Sequence, residues 1–240
     1  MTNNPENNTR KTFGVNVQFF ITGFGPFHGV TINPTTILIK RLNDYIQAKS
    51  IKNIQTQILE TSVSCVRLEL NQYFQQIKLS IEQKSNRNQA NYVAIHLGVA
   101  YNSKHIRLEK CAYNEASFRV PDMQGFQPHN ACIIDGPTST SNYGKCIETQ
   151  LNVNDILNDL NQKNEQYNDS LTISTDPGRF VCNYTYYYSL SNASSIMSSA
   201  LNQTQGNDIN IDVLFVHVPP FTEMHEDLQF QFLLALIDSI

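Results

Sequence analysis

Two hydrophobic patterns alternate along the chain, one typical of strands and the other typical of helices. Six β-rich apolar runs predict strands at residues 17–22, 54–60, 92–97, 103–114, 171–175 and 211–218. Apolar residues at a spacing of three or four predict helices that begin at Asn33-Pro34, cover 66–81 and 153–160, and follow the Pro-containing loops after residues 175 and 218. This alternation implies an α/β fold, a three-layer α/β/α sandwich around a twisted, mostly parallel but mixed sheet.

The pattern is absent at the start of the chain and in two internal stretches. Residues 1–16 carry too few aliphatic side chains to offset the entropy of ordering, so we expect a disordered lead-in. Residues 118–130 predict an irregular loop, and the polar residues 203–210 predict a surface loop. Residues 17–240 are then expected to form a single α/β domain.

Composition and charge narrow the functional classes. The chain has 240 residues, of which 40% are hydrophobic and 16% charged, as in an ordinary globular protein. A net charge of −4 gives no reason to expect nucleic acid or an anionic membrane as a partner. Residues 1–11 contain no apolar h-region, and no apolar run of 18 residues occurs. Five cysteines, an odd number, indicate reduced thiols and a cytoplasmic location.

The first candidate for chemistry is Cys182, which follows a turn-rich segment at 176–181 and precedes a predicted helix. A thiol in the first turn of a helix lies near free N–H groups that favour the thiolate. The alternative is a small buried hydrophobic residue, which is the commoner role of a free cysteine. We assign that alternative role to the other four cysteines, namely Cys65, Cys111, Cys132 and Cys146.

Two histidines compete as the partner of this thiol. His217 ends the strongly apolar run 211–218, where its imidazole could face a cleft, and His96 has a similar setting in the run 92–97. For either residue the alternative is a core histidine bonded to a backbone carbonyl. Glu109 alternates with apolar residues and could orient an imidazole, or it could be a solvated charge on a strand.

Other motifs are absent or do not fit. The glycines at 23, 25 and 29 do not have the dinucleotide-binding spacing, and Pro26 interrupts them. No histidine and cysteine spacing suggests zinc, so we expect neither a cofactor nor a metal.

Taken together, four blocks of the sequence resemble pyroglutamyl peptidase type I, the cytosolic cysteine peptidases that remove an N-terminal pyroglutamate from peptides. The blocks are TGFGPF at 22–27 with INP at 32–34, LEKCAYN at 108–114, DPGRFVCNYTYY at 176–187, and FVHVPP at 215–220. Their order and spacing follow the family from about residue 17 onward. Lys110, Cys111 and Tyr186-Tyr187 look closer to the animal-type branch.

The resemblance implies roles for individual residues. Cys182 corresponds to the nucleophile, His217 to the general base and then acid, and Glu109 to the carboxylate that orients His217. The aromatic residues Phe24, Phe27 and Phe180 match the family's pyroglutamate pocket, and Arg119 matches an arginine near the oxyanion. His96 then becomes a structural residue.

Two positions depart from the family pattern. Val99 stands where bacterial members carry a glutamine that can bind the lactam, so the lactam contact must come from elsewhere. Pro177 stands where alanine is usual, which stiffens the turn and removes one backbone donor.

The sequence therefore predicts a thiol protease that acts on peptides with an N-terminal pyroglutamate through a thioester intermediate, as a monomer or weak homo-oligomer. One alternative is a homologue that binds pyroglutamyl peptides but has lost turnover. Another is a nucleoside-phosphorylase-like enzyme, for which the chain offers no clear phosphate site.

Overall fold

The computed structural model describes residues 17–83, 90–136, 142–167, 169–203 and 209–240. The predicted disordered segment 1–16 lies outside these residues, as do residues 204–208 of the predicted surface loop. No helix in the described part of the chain combines the length and the apolar character needed to cross a bilayer.

The regular elements follow the predicted alternation of strands and helices. In chain order they are β1 (Val17–Phe24), α1 (Pro34–Ala48), β2 (Ile54–Leu59), α2 (Val63–Gln83), β3 (Ala90–Val99), β4 (Ile106–Glu109), β5 (Cys111–Tyr113), β6 (Cys146–Glu148), α3 (Val153–Lys163), β7 (Leu171–Ser174), α4 (Val181–Gln203), β8 (Ile209–Val218) and α5 (Glu226–Asp238). A single 3-10 turn, Glu165–Tyr167, precedes β7. The sequence did not predict this turn or the short strand β6.

Six strands form one mixed sheet in the order β2-β1-β3-β8-β4-β7. The strands β2, β1, β3 and β8 are parallel to one another. The short strand β4 pairs antiparallel with β8 and parallel with β7, so β4 and β7 run in the opposite direction to the rest. The predicted fold class, an α/β sandwich around a mostly parallel but mixed sheet, is confirmed.

The sheet buries a separate hydrophobic layer on each face. Alternation in β1 directs Phe20 toward the layer that contains α2 and α4, whereas Phe19 and Ile21 point into the layer that contains α1, α3 and α5. Because both faces of the central strands are covered, their sequences read as continuous apolar runs.

The predicted strand at 103–114 is wrong in one respect, because the structure divides it into two strands that belong to different sheets. The break falls at Lys110, whose N–H donates to the Ser174 carbonyl and whose carbonyl accepts from Thr149 N–H. After it, β5 pairs antiparallel with β6 in a separate two-stranded sheet. Both strands have the same period of two, so the hydrophobic pattern could not reveal the change of partner.

The region 118–130 is an irregular loop, as predicted, and one buried carboxylate organises it. Asp122 accepts hydrogen bonds from the backbone N–H groups of Val63, Gln124 and Phe126, at 2.8 to 2.9 Å. The bond to Val63 fixes the loop to the start of α2. The loop carries Arg119 to the cavity described below.

Candidate active site

The imidazole of His217 and the carboxylate of Glu109 meet on one face of the sheet. His217 is the penultimate residue of β8, and the antiparallel register with β4 pairs it with Arg107 and pairs Phe215 with Glu109. Glu109 is therefore a diagonal neighbour of His217, and its Oε1 lies 2.8 Å from His217 Nδ1. Both residues are buried, with exposed fractions of 7% for His217 and 0% for Glu109.

The Glu109 carboxylate is directed at this imidazole. Its Oε2 has no hydrogen-bond partner among the described residues. The Tyr186 hydroxyl donates to the Glu109 backbone carbonyl at 2.8 Å, which fixes the end of β4 against α4. A buried carboxylate stabilises the protonated, positively charged form of an adjacent imidazole.

Cys182 lies in the first turn of α4, and its side chain forms a hydrogen bond with His217. Burial alone would lower the pKa of His217, but hydrogen bonds with Cys182 and Glu109 raise this pKa to about 9. The imidazole is consequently protonated at neutral pH, between a carboxylate and a sulfur atom. This arrangement places the positive charge of the imidazolium beside the Cys182 sulfur.

A glycine on β3 makes room for the sulfur. Gly98 pairs with His217 across the sheet. A Cβ atom added at Gly98 would lie 3.0 Å from Cys182 Sγ and 2.8 Å from the Phe215 ring. Any larger residue at this position would displace the thiol or the ring.

The loop between β7 and α4 returns the chain to this place. Because β7 runs opposite to β8, this loop does not leave the sheet at the end where β3 and β8 finish. Gly178 adopts a positive φ of 79°, and its N–H donates to Asp176 Oδ1 at 3.1 Å. Arg179 then bridges Asp176 at 2.6 Å and Glu115 at 3.0 Å. This network fixes the start of α4.

An open cavity of about 610 Å³ surrounds Cys182 and His217. The four residues that the resemblance assigned to substrate binding all line it, namely Phe24, Phe27, Phe180 and Arg119. Val99 and Pro177 line it as well, so both departures from the family pattern fall in the cavity wall. Glu109 does not line the cavity, because it lies behind His217.

The aromatic wall is fixed by packing and by backbone hydrogen bonds. Phe180 packs on Phe118 with ring centroids 4.7 Å apart, and Phe27 meets the edge of Tyr101 at 6.3 Å. The N–H of Phe24 donates to Thr35 Oγ1 at 2.9 Å, next to the start of α1. The three phenyl groups are thus held by different elements around one space.

His96 is structural, as the resemblance implied. Its Nδ1 lies 2.8 Å from Thr22 Oγ1, and its Nε2 lies 2.8 Å from Ser189 Oγ. Complete burial lowers the pKa of His96 to about 3. The ring is therefore neutral and has both nitrogens occupied.

The four remaining cysteines lie away from the cavity lining. The expectation that all four are buried hydrophobic residues is wrong for three of them. Only Cys111 is buried, whereas Cys65 and Cys132 are half-buried and Cys146 is exposed. Cys146 lies on β6, in the two-stranded sheet that is separate from the main sheet.

Sequence reasoning missed Arg107, which lines the cavity beside His217. The signal was present, because Arg107 and Glu109 are two positions apart on one strand and therefore share a face. The resemblance gave no role to this position. In the described part of the chain, no group of three or more histidine, cysteine or acidic residues is placed to hold a metal ion.

Comparisons with known proteins agree with this geometry. A sequence model of the family described as pyroglutamyl peptidase matches residues 17–225. A pyrrolidone-carboxylate peptidase of Thermococcus litoralis is 31% identical over 202 residues, which cover 83% of this chain and 74% of the relative. The human pyroglutamyl-peptidase 1 is 26% identical over 200 residues, which cover 83% and 78%.

The fold is also that of solved structures. A mutant pyrrolidone carboxyl peptidase of Pyrococcus furiosus superposes with a TM-score of 0.69 at 22% identity, covering 92% of this chain and 97% of the other. At that identity the likeness concerns the fold alone. The sequence match, in contrast, extends over most of the chain and includes the segments that carry Cys182, His217 and Glu109. The chain therefore belongs to the pyroglutamyl peptidase family.

Proposed function

We propose that this protein is a cysteine peptidase that hydrolyses the amide bond after an N-terminal pyroglutamate, with Cys182 as nucleophile, His217 as acid and base, and Glu109 as the residue that orients His217. The observation that carries the proposal is the position of Cys182 and His217, side by side in an aromatic-walled cavity, with Glu109 bonded behind the imidazole. Family membership supports the same activity.

The first chemical step is attack of the Cys182 sulfur on the pyroglutamyl carbonyl carbon. Backbone N–H groups in the first turn of α4 are unpaired within the helix and are suited to bind the oxygen on which negative charge develops. We assign Arg119 to the vicinity of this oxygen, because it lines the same cavity. Each such donor is typically worth about 3 kcal/mol in the transition state.

Proton transfer is the task of His217. Because hydrogen bonds raise its pKa to about 9, the imidazole carries the proton that the leaving amine needs. The departure of the amine leaves a thioester on Cys182 and a neutral imidazole. That imidazole takes a proton from water, which hydrolyses the thioester and releases pyroglutamate.

The cavity wall suits the lactam ring of pyroglutamate. Phe24, Phe27 and Phe180 provide apolar faces for a small, flat, uncharged ring, and Val99 adds an aliphatic face. A charged N-terminal amine would lose its hydration there without a compensating partner, so ordinary N-termini are excluded. The polar side chains of Asn33 and Thr61 also line the cavity and are candidates for the contacts that a glutamine makes in bacterial relatives.

The direct test is the release of a fluorescent amine from a pyroglutamyl amide under reducing conditions. We expect turnover by the native chain, none by Cys182→Ala or His217→Ala, and wild-type turnover by the matched control Cys65→Ala, whose thiol lies outside the cavity. Turnover that survives in Cys182→Ala would overturn the proposal. Calorimetric binding of the amide without turnover by the native chain would instead establish the binding-only alternative.

The remaining expectations belong to the same proposal. We propose that residues 17–240 act as a single domain, that the protein is a monomer or weak homo-oligomer, and that it meets its peptide substrates in the cytoplasm. Three half-buried or exposed cysteines, Cys65, Cys132 and Cys146, form no disulfide, which supports a reducing compartment.

A further inference from the structure

Arg107 is a half-buried cation with no partner among the residues that the structure describes. Its side chain lines the cavity next to His217, with which it is paired across β4 and β8. No ion pair or hydrogen bond of its guanidinium occurs within the described residues. A guanidinium that faces a cavity and has no charged partner is available to bind an anionic group of a ligand.

In the strand order of the sheet, His217 lies between Phe24 on one side and Arg107 on the other. Phe24 ends β1 and Val99 ends β3, His217 lies on the next strand, β8, and Arg107 lies on β4, which follows β8 in the sheet. A substrate whose lactam ring lies against Phe24 and whose scissile amide lies at Cys182 continues toward β4. Arg107 is thus located where the residue after pyroglutamate leaves.

The charges in the cavity wall also favour an anionic ligand. Arg179 is neutralised by Asp176 and Glu115, at 2.6 and 3.0 Å. Arg119, which is exposed and lines the same cavity, has no ion pair among the described residues either. Two uncompensated guanidinium groups therefore face one cavity in a chain whose net charge is −4.

We propose that Arg107 is a specificity residue that binds a carboxylate just beyond the scissile amide, so that the enzyme prefers pyroglutamyl peptides with an acidic group there. This inference rests on the proposed peptidase function. The carboxylate belongs either to an acidic side chain in the second residue or to the C-terminus of a dipeptide. A guanidinium forms paired hydrogen bonds with either group.

The test compares substrates that differ in one charge. The first pair is pyroglutamyl-Glu-Ala-amide against pyroglutamyl-Gln-Ala-amide, and the second is pyroglutamyl-Ala as the free acid against its amide. We expect kcat/KM to be roughly 5-fold higher for the charged member of at least one pair, mainly through a lower KM. The pair with the larger ratio identifies the source of the carboxylate. The ratio should fall as NaCl is raised from 0.05 to about 0.5 M.

Three variants assign the preference to Arg107. Arg107→Gln should bring both ratios close to one, and Arg107→Glu should favour pyroglutamyl-Lys-Ala-amide over the Glu peptide. The matched control, Lys104→Gln, removes one exposed charge three residues away that does not line the cavity, and should keep the wild-type ratios. A reversal of preference in Arg107→Glu is a result that a merely structural role would not produce.

The outcomes separate the two proposals. If the native chain does not cleave any pyroglutamyl amide, the peptidase function itself fails. If it cleaves the neutral amides and shows no preference for a carboxylate in either pair, or a preference that survives in Arg107→Gln, the function stands and the role of Arg107 is refuted.

Discussion

His96 and His217 lie on neighbouring strands of one sheet, on the same face, yet their surroundings give them opposite chemistry. His96 pairs with Phe215 and His217 pairs with Gly98, so the two imidazoles are offset by two residues along the strands. Hydroxyl groups of Thr22 and Ser189 surround the first. A carboxylate and a thiol surround the second.

The two pKa values show what these partners do. Complete burial lowers the pKa of His96 to about 3, since its neutral partners do not offset the cost of a buried charge. Burial acts on His217 as well, but hydrogen bonds with Cys182 and Glu109 raise its pKa to about 9. The two histidines therefore occupy similar positions on their strands. The pKa of His217 differs because β4 contributes Glu109 and α4 contributes Cys182 as its partners.

The largest expected effect comes from removing each imidazole in turn. His217→Ala should lower kcat for a pyroglutamyl amide by about 10⁴-fold, because the leaving amine loses its proton donor. His96→Ala should keep kcat within about 5-fold and instead lower the free energy of unfolding by about 2 kcal/mol, because a buried cavity and two unpaired hydroxyls remain. Steady-state kinetics and urea titrations measure the two effects. A comparable loss of kcat in both variants would refute the distinction.

Glu109→Gln should make His217 behave more like His96. In the wild type, the imidazolium is lost as the pH rises through about 9, so kcat/KM should fall above that pH. Removing the carboxylate charge should lower the pKa of His217 and move this alkaline limb to lower pH. We also expect kcat to fall by roughly 10²- to 10⁴-fold. The pH profile of kcat/KM measures both changes, and an unmoved limb would show that Glu109 does not set the charge of His217.

Alkylation tests whether the charge on His217 acts on Cys182. Iodoacetamide at pH 7 should modify Cys182 at least about 10-fold faster than the other thiols, since its sulfur lines an open cavity beside the imidazolium of His217 and lies at a helix N-terminus. Desolvation of the thiol and its hydrogen bond with Cys111 raise the pKa of Cys146 to about 11, which leaves a thiolate fraction on the order of 10⁻⁴ at pH 7. In His217→Ala the lead of Cys182 should shrink, as peptide mass spectrometry would show. An equal alkylation rate of Cys182 in wild type and in His217→Ala would show that the imidazolium does not activate this thiol.

Most of the fold followed from hydrophobic periodicity, and the exceptions have physical causes. The strands β1, β3 and β8 are buried on both faces and are therefore strongly apolar. The direction of β4 and β7 could not be read in this way, because a strand has the same pattern whether it runs parallel or antiparallel. The strand β6 has only three residues, fewer than a periodic pattern needs.

The site was less predictable than the fold. Residue types alone left His96 and His217 equivalent, since both end buried apolar runs, and only the resemblance separated them. The structure adds the reason, which is the diagonal placement of Glu109 on an antiparallel neighbour. Arg107 was missed because a lone arginine in a strand has no distinctive spacing, although its alternation with Glu109 placed it on the reactive face.

The last effect we predict is a slope in the pH dependence of stability, caused by His96. Its pKa is about 3 when folded and near 6.5 when unfolded, so below pH 6.5 the unfolded chain binds a proton that the folded chain does not. The free energy of unfolding should therefore fall with decreasing pH between 6.5 and 3, by up to about 1.4 kcal/mol per unit from this residue. His96→Gln should lose that part of the slope in urea titrations at pH 7, 6 and 5, whereas the control His129→Gln, at an exposed position, should keep it. Equal slopes of the free energy of unfolding against pH in wild type and His96→Gln would mean that His96 binds its proton in the folded protein as well. Its pKa would then not be lowered, and the difference between His96 and His217 would be refuted.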